Sequence, residues 1–119
     1  MSAAIDFMAD RQWVTVGTGA IFSAALPILA SGGKGQRSAT KSCRFLAHVP
    51  RLFLFGDNKA DDLDLEATEL RRYEELYCGT LGRCSNRPWK WWHSKIKNGD
   101  DWYFDAKEAL SLGVIDSVL

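Results

Sequence analysis

The chain lacks an excess of charge of either sign: 15 Lys and Arg stand against 15 Asp and Glu in 119 residues. That balance argues against a nucleic-acid binder held by overall positive charge. Cysteine is scarce. Cys43, Cys78 and Cys84 form an odd set with no C-x-x-C, which excludes a disulfide framework and indicates a reducing compartment such as the cytoplasm. Long apolar runs are missing too. Residues 12–33 carry no charge and are long enough to cross a bilayer. They contain Gln12, Thr15, Thr18, Ser23, Pro27, Ser31 and four glycines, however, and the purely apolar part, 24–30, is too short. No membrane span is expected. Asp6 and Asp10 sit where a secretory leader would be basic. There is no internal repeat and no low-complexity segment.

What is present suits one globular domain over residues 1–119, with 46% hydrophobic and 25% charged residues. The neutral total hides blocks. Residues 34–56 carry only bases (Lys34, Arg37, Lys41, Arg44, Arg51), and residues 57–82 are dominated by acids. Residues 83–99 are again basic, and residues 100–119 are acidic. Alternating blocks suggest self-complementary faces, within the fold or between subunits.

The local pattern alternates strand and helix, which predicts an α/β fold. A short helix is expected over 3–11 and a buried strand over 13–16, broken by Gly17 and Gly19. A helix follows over 22–31, with Pro27 early enough to be tolerated and Gly32, Gly33 and Gly35 beyond its end. Further extended segments are expected at 44–48 and 51–55, the latter before a turn at 56–58. Leu63, Ala67, Leu70, Tyr73 and Tyr77 share one face of a helix expected over 61–78, with Gly79 ending it. A basic, Trp-rich stretch covers 87–97. Asn98-Gly99 is a turn, and a strand (102–104), a helix (106–112) and a strand (114–118) close the pattern.

One constellation carries chemistry. Ser23 follows a strand and a glycine turn and opens an apolar helix. A nucleophilic serine is well placed there, because the strand end exposes its hydroxyl and the Ala24 N–H can face an oxyanion. The plain alternative is that Ser23 caps the helix. His48, at the end of the next strand, can act as general base, or it is a structural histidine. His93 is the other histidine and, among tryptophans and bases, is expected at the surface. A triad needs a carboxylate, and Asp57, Asp100 and Asp101 all remain candidates on chemistry alone.

Four segments in order resemble the proteolytic subunit of the Clp protease, a serine peptidase family of the ClpP/crotonase-like fold. Gly19 precedes Ser23 by four residues. Gly32-x-Lys34-Gly35-x-Arg37 is similar to the family's turn, and Arg44 to Pro50 (RFLAHVP) to its His-x-Pro strand. The stretch from Asp101, with Ala106, Glu108, Ala109, Gly113, Asp116 and Val118, resembles the family's ending. The resemblance implies Ser23 as nucleophile, His48 as base and Asp101 as orienting acid, in the order Ser…His…Asp. It implies a peptide or unfolded-protein substrate, with the segment 51–55 pairing to substrate backbone. It implies a homo-oligomeric ring joined through the helix 61–78, and an ATP-dependent unfoldase or a full-length ClpP subunit as partner. No cofactor or metal is implied on this chain. The match starts part-way into the family's domain. The family's first strands, and the Gly-Gly loop that gives a second oxyanion donor, are therefore expected to be absent from residues 1–119, and losing one such donor costs about 10²–10³ in rate. Beside the nucleophile, Ala24-Ala25 replaces Met-Gly and Phe22 replaces a small residue.

Other readings stay open. A non-catalytic relative could retain the fold for assembly or an accessory role. Cys78, Cys84 and His93 could hold zinc, although their spacing fits no common knuckle. The bases and tryptophans of 83–97 could bind single-stranded nucleic acid, or they pack amphipathically against the acidic helix.

Overall fold

The computed structural model describes residues 1–49 and 60–119, so the expected segment at 51–55, the 56–58 turn and Pro50 lie outside the described residues. The element order is α1 (Ser2–Met8), β1 (Thr15–Gly17), β2 (Ala20–Phe22), α2 (Ala25–Ala30), β3 (Arg37–Ala39), β4 (Arg44–Ala47), α3 (Ala60–Cys84), α4 (Trp89–Ile96), β5 (Trp102–Asp105), α5 (Ala106–Ser111) and β6 (Ser117–Val118). The result is a mixed α/β arrangement with two small sheets, ordered β1-β3-β6 and β2-β4-β5. All pairings are parallel except β4 with β5. The glycines at 17 and 19 set this up. They split one extended stretch into two short strands, and each joins a different sheet.

The strand expected to be buried at 13–16 is shifted and open. Val14 and Val16 are 68% and 52% exposed, because β1 lies at the edge of its sheet and shows one face to solvent. Strands β2 and β3 were not anticipated. Three residues between glycines and turns are too few to display a two-residue period.

The helix expected over 61–78 is longer, and Gly79 does not end it. Its buried residues are Tyr77, Cys78, Thr80 and Leu81, all in its second half, while Leu63 and Tyr73, both nearer its start, remain exposed. Gly82 explains the overrun. A Cβ there would lie 2.7 Å from the Trp89 main-chain nitrogen, so glycine is what lets α4 start against α3. Gly82→Ala gains ~1 kcal/mol of helix propensity but must displace main chain, an overpacking cost of ~1–3 kcal/mol. A net loss of stability is expected, read as a lower urea midpoint.

The core forms where α3 and α4 meet β4 and β5. Trp92, Phe45, Phe104, Leu81 and Ile96 are buried, with Phe45 stacked on Phe104 at 5.2 Å and Trp102 on Phe104 at 4.6 Å. The Trp-rich stretch is thus largely structural. Trp92 donates its indole N–H to Ser85 Oγ at 2.9 Å, and Lys95 lies over the rings of Trp91 and Trp102. His93 is half-buried rather than a surface group, with Nε2 2.7 Å from Glu74 Oε1. Part of the basic block does face the acidic helix.

A buried arginine locks the other sheet. Arg37 is 2% exposed. Its Nε and Nη2 donate to Asp116 at 2.9 and 2.7 Å, and its Nη1 donates to Ala30 O and Cys84 O at 3.1 and 2.6 Å. One side chain therefore serves carbonyls at the C-terminal ends of α2 and α3, which otherwise lack partners. The backbone N–H groups of Gly35 and Arg37 also donate to Asp116, and Gly35 turns toward it at φ 83°. These bonds, led by the Arg37 side chain, hold the Asp116 carboxyl at about 2, down from 3.8. A lowered carboxyl contributes stability that is complete above its unfolded value and is lost as pH falls through its folded value. About 2 kcal/mol is therefore expected to disappear between pH 4 and pH 2. Urea titrations across that window, with Asp116→Asn as the chain lacking this slope, check the expectation.

Candidate functional site

The sheet β2-β4-β5 gathers the candidate residues at one end. Phe22 pairs with Leu46 across β2 and β4, and Ala47 pairs with Trp102 across β4 and β5. Continued by one residue, these registers set Ser23 beside Ala47 and His48 across from Asp101. Adjacent strands lie about 4.8 Å apart, so Ser23, His48 and Asp101 fall on three neighbouring chain segments at one sheet edge. Asp100 lies one step further out. Asp57 lies outside the described residues.

Ser23 makes the turn from β2 into α2. It is the one non-glycine residue with positive φ (56°) among the described residues, a conformation that costs ~1–2 kcal/mol. Two bonds hold it there: Ser23 N–H to Leu46 O at 3.1 Å, and Leu26 N–H to Ser23 O at 3.2 Å. The capping alternative is not what is seen. The residue at the N-cap of α2 is Ala24, and no side chain bonds the helix start. Ala24 precedes the first turn, so its N–H has no intrahelical carbonyl to bond, and the residue is exposed.

His48 is half-buried, and its Nδ1 lies 2.7 Å from Val49 O. A carbonyl only accepts, so Nδ1 carries the hydrogen, and in the neutral ring Nε2 keeps its lone pair. That tautomer suits a base. The ring nevertheless spends Nδ1–H on its own neighbour's carbonyl, and among the described residues no hydrogen bond joins the Ser23 hydroxyl to it. The fold brings the three candidates to one edge without closing a Ser–His contact. Unclosed catalytic contacts are common without substrate.

Next to this edge, Phe22, Leu46 and Tyr103 stand in register across the three strands. The rings of Phe22 and Tyr103 meet edge-to-face at 5.9 Å. Sequence reasoning did not single out this row, because its members come from three distant segments.

The cysteines are unpaired. Burial raises the Cys43 thiol and pushes Cys78 up to about 12, so neither is a thiolate nucleophile near neutrality. Among the described residues, no group of three or more His, Cys, Asp or Glu is placed to hold a metal, and no helix is long and apolar enough to cross a membrane.

A family model described as Clp protease matches residues 2–119. The ATP-dependent Clp protease proteolytic subunit 1 of Tropheryma whipplei (strain Twist) is 34% identical over 108 residues, covering 91% of this chain and 51% of that protein. The corresponding subunit 2 of Mycobacterium leprae (strain TN) is 34% identical over 114 residues, covering 93% and 50%. Subunit 3 of Synechococcus sp. (strain CC9902) is 31% identical over 110 residues, covering 89% and 52%. The chain spans about half the length of these curated relatives.

Proposed function

The chain belongs to the Clp protease family, and from that premise we propose that it is a serine endopeptidase using Ser23, His48 and Asp101 on a ClpP/crotonase-like fold. The observation that carries the proposal is the register of β2-β4-β5. It sets Ser23 one step past the Phe22–Leu46 pair and His48 opposite Asp101 one step past the Ala47–Trp102 pair.

In this reading the Ser23 Oγ attacks a peptide carbonyl carbon while His48 Nε2 takes the hydroxyl proton. The tetrahedral oxyanion faces the Ala24 N–H. The intermediate collapses, the C–N bond breaks, and His48 returns the proton to the leaving amine. Water then attacks the acyl-enzyme with His48 again as base, releasing the acid and regenerating Ser23. Asp101 holds the imidazole in its Nδ1–H tautomer and stabilises the imidazolium. The present contact of Nδ1 with Val49 O marks a resting arrangement from which the ring has to turn. No metal or nucleotide enters these steps. The relatives' names include ATP dependence; here ATP would be used by a partner unfoldase, and the chain would act in a homo-oligomeric ring in the cytoplasm on peptides or unfolded proteins.

A second reading, an assembly or accessory member without peptidase activity, draws on that same resting contact. A fluorophosphonate probe applied to the protein, with its native mass recorded, separates the two. Labelling at Ser23 in an assembly of many subunits supports the peptidase. An assembly that takes no label sinks it in favour of the accessory role.

A further inference from the structure

The stretch after α1, the turn after α2 and the end of α3 enclose a cavity of about 280 Å³. It lies beyond the C-terminal end of α2, whereas Ser23 precedes the other end, so the candidate triad does not use it. Three charged side chains line it: Arg11, Lys34 and Arg83. Among the described residues that line it there is no acid. A cleft walled by one sign of charge focuses its field and concentrates counter-ions.

These bases are not spent elsewhere. All three are exposed. Lys34 makes no hydrogen bond or ion pair among the described residues. Arg83 Nη2 gives one bond, to Thr80 Oγ1 at 3.2 Å, within its own helix. Arg11 Nε stands 3.9 Å from Asp10 Oδ1 with both side chains exposed, a pairing that holds little in water. Bases near helix C-termini often serve the orphan carbonyls there. Here Arg37 already takes Ala30 O and Cys84 O, at the ends of α2 and α3. We propose that this cavity binds a small polyanion, a molecule with two or more closely spaced phosphate or carboxylate groups. Arg11 and Arg83 present planar forks that suit either group, and Lys34 adds a point charge. Gln12 completes the wall by lying across Gly33, where a Cβ would meet its Oε1 at 2.5 Å. The volume falls just below the ~300–1,000 Å³ of pockets for drug-sized molecules, which suits a compact ligand. The proposal does not rest on the peptidase reading.

Cys84 supplies a local reporter. It lines the cavity half-buried, whereas Cys43 and Cys78 are fully buried, so neutral iodoacetamide should alkylate Cys84 first. Inorganic pyrophosphate and citrate are the probes, added to the full chain at an ionic strength matched with KCl, and mass spectrometry identifies the alkylated cysteine. A bound probe is expected to slow alkylation of Cys84 ~5-fold or more, with half of the effect reached at ~1 mM or below. Lys34→Gln and Arg83→Gln each remove one charge from an exposed position, so the thermal midpoint of the free protein should hold. Each should raise the half-protecting concentration ~5–10-fold. Protection by pyrophosphate alone assigns a phosphate ligand, and protection by citrate alone a polycarboxylate. Protection by both supports a site that reads charge spacing rather than the group. Protection by neither, beyond what KCl gives, overturns the proposal. So does protection that the two substitutions together leave unchanged.

Discussion

Ser23→Ala is expected to remove fluorophosphonate labelling completely and to lower peptide hydrolysis by up to ~10⁶ in kcat, the scale on which serine peptidases lose activity with their nucleophile. The size follows from the roles. Without the hydroxyl no acyl-enzyme forms, and His48 and Asp101 have nothing to activate. What survives is binding and whatever the Ala24 N–H contributes, a residue of 10³–10⁴ over water where such a site is intact. The change should be silent in stability or mildly destabilising, because Ser23 Oγ makes no hydrogen bond among the described residues and alanine at φ 56° keeps the same strain. A discontinuous assay with a fluorogenic peptide and a thermal melt on the same preparation check both halves. Asp101→Asn is the companion variant, with an expected loss of about 10⁴ in kcat through the wrong tautomer. An Asp101→Asn chain as active as the wild type would show that another carboxylate orients His48.

The largest expected effect on stability is at Asp116. Asp116→Ala leaves the Arg37 guanidinium at 2% exposure with no countercharge, and breaking a buried pair from one side costs ~3–5 kcal/mol. Against the 5–15 kcal/mol of a typical domain, that is a large share. The expected fall in the thermal midpoint is roughly 10–20 °C. Arg37→Met combined with Asp116→Leu removes the stranded charge, which in many proteins recovers most of the loss. Recovery should be partial here. Nη1 of Arg37 also serves Ala30 O and Cys84 O, and methionine cannot. Equilibrium urea unfolding of both variants distinguishes the charge from the two carbonyl bonds.

Much of this was legible from residues alone, and the failures have physical causes. A strand through Phe45 and Ala47 was expected and exists, and the helix over Leu63 to Tyr77 showed its period and exists. Gly79 was read as a terminator because propensity is local, but the helix continues. Gly82 sits where α4 needs the space, and that tertiary contact outweighs the ~1 kcal/mol cost of a glycine. The stretch 87–97 read by composition as amphipathic or nucleic-acid-binding, with His93 at the surface. Trp92 and Ile96, one turn apart, form a buried stripe hidden among lysines. At the candidate site, Ser23 and His48 stood out by position, whereas Asp101 rested on resemblance, and the observed pairing of β4 with β5 ends one residue short of it, at Ala47 with Trp102. The contact of His48 with Val49 depends on side-chain placement that no one-dimensional pattern records.

The clamp between Arg37 and Asp116 also sets a timetable. Its partners are 79 positions apart, and β6 follows every other described strand, yet it completes the sheet that β1 and β3 begin. A nascent chain short of residue 116 can form the helices α2 and α3 but has no carboxylate to receive the Arg37 guanidinium. Closing so long a loop is slow relative to helix formation. The chain is thus expected to finish folding only after residue 116 has left the exit tunnel, with the half-built β1-β3 edge exposed to chaperones until then.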